Sequence, residues 1–400
     1  MKTERIHTPE GVRDIYGNEY ARKVQIQQKL QERISLFGYQ GIQTPTFEFL
    51  EVFGKEIGTT PIKDLFKFFD FDGNILCLRP DFTPSMARLA AKYFSREDMP
   101  LRFTYQGNTF SNTSLLQGKL KETTQMGAEL LGDASVQADG EIVSMLVDSL
   151  LHTGLRDFQV SIGEVNFFKG ICEQLSLSFE EEEILREYIS NKNYFAAKEY
   201  LEAQNKPETA IDMIMKIEDL FGSVEALSKA KALSDHPLCR QAIQRLTALY
   251  QVLCAYGVEK YISFDLGMLN SYHYYTGIIF KTYTYGIGDA IVKGGRYDSL
   301  LPYFGKDSAA IGFVIVIDDL MQALSRQSIA VSLPDNLITL VYDESHYSQA
   351  LKQAEDLRKE GRPVQLLLFD GKKGKGAYEE YGRKLRSREI IFLTGEGDEA

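Results

Sequence analysis

The sequence predicts an α+β protein: a mixed core of strands and helices, interrupted by a helical insertion and followed by a small α/β module. Three observations carry that expectation. Strand-like runs dominate as far as Leu131 and resume at Lys260. Between about Gly170 and Gly257 the texture turns rich in Glu, Lys, Leu and Ala at helical spacing. From Leu337 onward the pattern repeats as β-α-β-α-β. The expected organisation is a core over 1–326, an insertion over about 170–258, and a C-terminal module over 336–400.

Composition narrows the class. The 400 residues are 44% hydrophobic and 25% charged, the balance of an ordinary soluble protein. No apolar run approaches the roughly 18 residues of a membrane span, and MKTERIHTPEG does not read as a signal peptide. Cys77, Cys172, Cys239 and Cys254 lie far apart, which argues against zinc or a disulfide framework and for a reduced cytoplasm. A net charge of −11 argues against gripping a phosphate backbone, so no nucleic-acid partner is expected.

In chain order, residues 1–18 form an extended lead-in with Pro9, Gly11 and Gly17. Arg22 to Phe37 has helical spacing, with Val24, Leu30, Ile34 and Phe37 on the inner side and Gly38 as its stop. GYQGIQTPTFEF reads as a strand broken at Pro45. LFKFFDFDGNILCL reads as a hairpin turning at Asp72-Gly73-Asn74, followed by a helix from Thr83–Ser85. Two strands follow, about Leu101–Phe110 and Glu122–Leu131. A helix from Asp139 to His152 and a strand over RDFQVSIGEVNFF come next. IGFVIVIDDL reads as a buried strand passing into a helix.

Alternation in the strand at 122–131 places Gln125, Gly127 and Glu129 on one face and Met126, Ala128 and Leu130 on the other. An apolar face opposite an amide and a carboxylate suits either a solvated sheet or the wall of a small polar pocket. Other motifs carry less. GKKGKG at Gly371 lacks the ending of a phosphate-binding loop and reads as a basic turn. YGIGDA at Tyr285 lacks the third glycine of a dinucleotide fingerprint and reads as a hairpin turn. No metal-ligand spacing is present, so neither metal nor cofactor is expected.

Seven segments occur in one order: PEGVRDIYG, GYQGIQTPTFE, LRPDFTPSMAR, the strand pair at 101–132, HYYTGIIF, GGRYDSL and IGFVIVIDDL. That series resembles the catalytic core of histidyl-tRNA synthetase, a class II aminoacyl-tRNA synthetase, over roughly residues 5–325. The resemblance implies an antiparallel sheet flanked by helices, with a histidine pocket over it. Asp81, Thr83 and Gln125 match groups that hold the ammonium; Glu129 and Tyr274 match those that read the imidazole, with Tyr275 beside them. The chemistry fits, since an ammonium seeks a carboxylate and neutral acceptors while an imidazole N–H seeks a carboxylate or phenol. Asp81 stands where the family usually has Glu, and His273 where it usually has Asp.

The departures are concentrated at the ATP side. Adenylate formation develops negative charge that needs fixed cationic donors. Where the synthetase has arginines, this chain has Ser111, Asn270 and Asp319; two further loop arginines are Lys119 and Lys121, and a glutamate is Thr113. Loss of one preorganised donor typically costs about 2.7–4 kcal/mol, so no useful adenylation is expected. The C-terminal module, about 65 residues, resembles a shortened anticodon-binding domain.

A synthetase-like core with the histidine residues kept and the ATP arginines absent is similar to the regulatory subunits of ATP phosphoribosyltransferase. That resemblance implies no catalytic residue, a hetero-oligomer with the short-form catalytic subunit, activation of that subunit, and feedback by histidine in the first step of histidine biosynthesis. It also implies a self-dimer through N-terminal segments. An active histidine–tRNA ligase, and a histidine- or RNA-binding sensor unrelated to the transferase, are the alternatives.

Overall fold

The computed structural model describes residues 6–54, 60–112, 120–269 and 275–395. The chain divides into two compact units, Met1–Val331 and Ser332–Ala400.

The first unit opens with α1 (Gly17–Ser35), β1 (Gln40–Gly41), β2 (Phe47–Phe49), β3 (Lys67–Phe69), β4 (Ile75–Leu78) and α2 (Thr83–Tyr93). The long pair β5 (Leu101–Phe110) and β6 (Glu122–Leu131) follows, then α3 (Val136–Thr153), β7 (Phe158–Glu164) and α4 (Val165–Gln174). The insertion comprises α5 (Phe179–Ser190), α6 (Tyr194–Ala203), α7 (Glu208–Met215), the short β8 (Phe221–Gly222), α8 (Glu225–Leu233) and α9 (Pro237–Tyr256). The core resumes with β9 (Ile262–Asp265), β10 (Ile278–Thr284), β11 (Val292–Arg296), α10 (Leu300–Tyr303), β12 (Ala310–Val316) and α11 (Ile317–Arg326). The second unit holds β13 (Leu337–Tyr342), α12 (Tyr347–Lys359), β14 (Val364–Leu368), α13 (Lys375–Lys384) and β15 (Ser387–Leu393).

Nine strands form one sheet in the order β1-β5-β6-β12-β11-β10-β7-β9-β8. Its six middle strands pair antiparallel, from β5 to β7, but β1 joins β5 and β9 joins β7 in parallel. The sheet is therefore mixed rather than wholly antiparallel. A separate small sheet runs β2-β4-β3, and the second unit has a parallel sheet in the order β14-β13-β15.

One face of the large sheet packs on α3. Ser135 caps this helix by accepting from the Ala138 N–H at 3.1 Å, and Gly154, at φ +102°, ends it. Ile142, Val143, Leu146 and Leu150 are fully enclosed there with Met126, Ala128 and Leu130 of β6. The opposite face carries a smaller cluster in which Phe82 stacks on Tyr105 at 4.3 Å between ring centres.

Two expectations change. Val24 is exposed, and the inner face of α1 is Lys23, Ile26, Leu30 and Ile34. Lys23 turns inward because Asp318 accepts from its Nζ at 2.9 Å, an attraction that no apolar periodicity reveals. The residues VNFF begin a helix instead of extending a strand, since the Glu164 carboxylate accepts from the Asn166 N–H at 3.1 Å and caps α4. Among the described residues, no helix is long and apolar enough to cross a membrane.

Candidate functional site

The site is built on the face of β6 that looks away from α3. Glu129 is only 1% exposed. Its Oε1 accepts from the Thr83 hydroxyl at 2.9 Å and its Oε2 from the Tyr297 hydroxyl at 2.5 Å. Burial pushes this carboxyl up to about 8; the hydrogen bonds from Tyr297 and Thr83 pull the other way, and Asp81 adds to the rise. Space for the carboxylate comes from glycines. A Cβ on Gly312, directly opposite on β12, would lie 1.6 Å from Glu129 Oε2. A Cβ on Gly127 would lie 2.4 Å from the Tyr105 hydroxyl oxygen.

The Tyr105 hydroxyl is buried with no hydrogen-bond partner under ordinary geometry, although it sits close enough to Glu129 to influence its charge. Burial and the neighbouring Glu129 hold both phenols, Tyr105 and Tyr297, well above the ordinary tyrosine range, so both stay protonated donors.

Asp81 lies at the start of α2, where its Oδ1 accepts from the Thr83 N–H at 3.2 Å. Tyr275 packs against β11: a Cβ on Gly295 would fall 2.7 Å from its ring. Thus Asp81, Thr83, Glu129 and Tyr275 gather around one buried carboxylate. Thr83 faces Glu129, the imidazole end of the expected pocket, in place of the ammonium end. Tyr274 lies outside the described residues, as do Thr113, Lys119, Asn270 and His273.

Gln125 is four residues up the strand, about 13 Å from Glu129 at strand rise. It opens on a separate cleft of ≈ 1410 Å³. Its Oε1 is buried and accepts no hydrogen bond among the described residues. An extended histidine measures about 6 Å from its amino nitrogen to its far ring nitrogen. With a hydrogen bond of about 2.9 Å at each end, it spans most of the distance between these two side chains.

The cleft beside Gln125 is also lined by Ser111 and Asp319, two positions where the synthetase resemblance leads one to expect arginines. Its described lining includes Arg13, Arg22, Lys121, Lys293 and Arg326, against Glu19, Asp64, Asp289, Asp318 and Asp319. The charges balance, and most of the cations are engaged. Arg13 pairs with Glu19 at 2.6 Å, Lys293 with Asp289 at 3.6 Å, and Arg326 donates to the Gly286 carbonyl. Lys23, behind the cleft, is held by Asp318, whose other oxygen accepts from the Thr124 N–H at 2.6 Å. Among the described residues no group of three or more His, Cys, Asp or Glu side chains is disposed to hold a metal.

Sequence reasoning missed Tyr297, Tyr105 and the two glycines. The signal for Tyr297 was present: in GGRYD it follows Arg296 by one residue, so alternation sends it to the other face. For Tyr105 the signal was its register opposite Gly127, where an aromatic ring needs a partner without a side chain.

Comparison with known proteins gives a consistent picture. The family model described as histidyl-tRNA synthetase matches residues 11–320. An ATP phosphoribosyltransferase regulatory subunit of Acetivibrio thermocellus is 39% identical over 371 residues, covering 93% of this chain and 89% of that relative. The one from Ruminiclostridium cellulolyticum is 34% identical, covering 98% and 93%. A solved ATP phosphoribosyltransferase regulatory subunit/histidyl-tRNA synthetase from Bacillus halodurans superposes with a TM-score of 0.87 at 30% identity, covering 98% of this chain and 99% of that one. Histidyl-tRNA synthetase from a Nostoc species, at 20% identity and a TM-score of 0.82, covers 98% of this chain and 92% of that one and shares the fold.

Proposed function

The chain belongs to the family of ATP phosphoribosyltransferase regulatory subunits, built on the histidyl-tRNA synthetase fold, and on that premise we propose that it is a histidine-responsive activator of a short-form catalytic subunit. The observation that carries the reading is the contrast between the two halves of the site. Thr83 and Tyr297 hold the buried Glu129 carboxyl at one place on β6 and the Gln125 Oε1 lies buried further along it, which supports an amino-acid pocket between them, while most of the cations of the adjoining cleft are engaged.

Histidine fits this arrangement end to end. Its ammonium answers the buried Gln125 Oε1. Its ring N–H meets the buried Glu129 carboxyl, and Tyr275 lies beside the ring. A triphosphate entering the cleft meets carboxylates at Asp318 and Asp319 and no free clamp of arginines, so histidine is held but not activated.

As in any regulatory subunit, the ligand acts by its differential affinity for two states of the complex. A coupling of about 1–3 kcal/mol is enough for useful feedback. The chain itself dimerises through its N-terminal part. Phe47, Phe49 and Phe68 are exposed on the small sheet, with Phe47 edge-on to Phe68 at 5.9 Å, and a patch of this kind on a soluble protein is a contact surface. Calorimetric titration of native and Glu129→Ala chains with histidine tests the pocket; equal affinities remove Glu129 from it.

A further inference from the structure

Arg296 and Tyr297 leave the end of β11 on opposite faces of the sheet. Tyr297 holds Glu129 on the pocket side. On the other side Arg296, 3% exposed, donates from Nη2 and Nε to Asp139 Oδ1 at 2.6 and 3.0 Å. Asp139 belongs to α3 and is completely enclosed. Its second oxygen accepts from Arg245 Nε of α9 at 2.8 Å. One buried carboxylate therefore joins the strand that carries the pocket phenol to the longest helix of the insertion.

A second tie runs in parallel. Thr276 directly follows Tyr275, and its N–H donates to the Arg296 carbonyl at 2.8 Å. Its own carbonyl accepts from Asn166 Nδ2 of α4 at 3.1 Å, and Asn166 is in turn held by Glu164 at 2.7 Å. The Thr276 hydroxyl accepts from the Asp298 N–H at 2.9 Å, while Asp298 Oδ1 accepts from Arg296 Nη1 at 3.2 Å. The tyrosine segment is thus hung between β11 and the first helix leading into the insertion.

Taking three charges out of water is costly, and a well-packed apolar substitute is often as stable. What such a cluster supplies is a fixed geometry between the elements it joins. The cluster also has a weak end. Arg296 is sealed, whereas the Arg245 side chain is 27% exposed, so water can replace its contact with Asp139.

We propose that the helical block on α4 and α9 is the part of the chain that reads pocket occupancy, through Tyr297–Arg296–Asp139–Arg245 and Tyr275–Thr276–Asn166. Arg245 and Asn166 act as positioning residues for the histidine site without touching the ligand. This rests on the histidine-pocket reading above. Histidine holds Glu129 and Tyr275 in place, and that stabilises the arginine bridge; by reciprocity, breaking the bridge weakens histidine binding.

Amide hydrogen exchange of the full chain, with and without L-histidine, tests this. In the native chain, protection rises within 165–174 and 237–256 as well as around 81–83 and 125–131. Arg245→Gln abolishes the rise in 237–256 and weakens histidine about fivefold or more, and Arg245→Lys restores part of both. Asn166→Ala, read on 165–174, gives the same result through the other tie if Arg245→Gln fails to fold. Protection confined to the pocket strands, or affinities within twofold of native in both variants, overturns the inference while leaving the pocket standing. Absence of histidine binding to the native chain sinks the pocket reading and this inference with it.

Discussion

Glu129 and Gly312 face each other across β6 and β12, and the carboxylate of one occupies the space a side chain on the other would fill. No rotation of a methyl group relieves an approach of 1.6 Å. Gly312→Ala therefore displaces Glu129 from Thr83 and Tyr297. The expected result is loss of measurable histidine binding by calorimetry, with a stability loss of about 1–3 kcal/mol in urea unfolding. Native-like affinity in this variant contradicts the placement of Glu129 in the pocket.

The raised proton affinity of Glu129 has a definite sign. Its folded value, about 8, lies above the ordinary 4.5. Between these values the folded state holds a proton that the unfolded state has released, so this group's stabilising contribution is complete below about 4.5 and is lost as pH rises through about 8. Glu129→Gln is permanently neutral and lacks that loss. The stability of the Gln variant relative to native should climb from pH 5 to pH 8 and then level off. A gap that stays flat across this range refutes the assignment.

Gln125 separates binding from stability. Among the described residues its Oε1 is buried without a partner, so removing it forfeits no hydrogen bond. Gln125→Ala should unfold at the native denaturant concentration or slightly above. Its histidine affinity should fall roughly tenfold to a hundredfold, the worth of a hydrogen bond to a charged group. Lower stability with unchanged affinity is the contrary result.

Asp318 is expected to be structural. It accepts from Lys23 Nζ and from the Thr124 N–H, and the Lys23 and Asp318 side chains are 11% and 10% exposed. Asp318→Ala leaves a mostly enclosed ammonium unpaired and should cost about 3 kcal/mol in urea unfolding. It should not produce histidine-dependent ATP–pyrophosphate exchange, because removing one carboxylate does not supply the missing arginines. Exchange above background in either native or variant chain contradicts the loss of adenylation.

The exposed aromatics of the small sheet give a prediction about assembly. Phe47→Ser combined with Phe68→Ser should shift the chain from dimer toward monomer in sedimentation velocity, with histidine affinity unchanged. These rings lie on the small sheet, apart from the residues gathered around Glu129.

Much of this was legible in the sequence, for identifiable reasons. The bounds of β5 and β6, the helical character of the insertion and the β-α-β-α-β rhythm of the second unit follow from period-two and helical spacing over long runs. Thr83 and Glu129 followed from the motif resemblance, and the structure brings them into contact. What escaped depends on neighbours distant in the chain. Lys23 points inward only because Asp318, 295 residues away, is there to receive it. Asp139 looked like the start of an amphipathic helix, and nothing local announces that two arginines, 106 and 157 residues later, converge on it. Tyr297 sat in a motif used only for the family resemblance, and its contact with Glu129, 168 residues away, has no local signal.

The central claim is that this chain switches a catalytic subunit and that histidine operates the switch through Glu129. The direct measurement is the rate of a short-form ATP phosphoribosyltransferase with the native chain or Glu129→Ala added, each with and without histidine. The account predicts that both chains stimulate the enzyme and that histidine strongly suppresses only the native complex. No stimulation by the native chain, or equal suppression of both complexes, contradicts it.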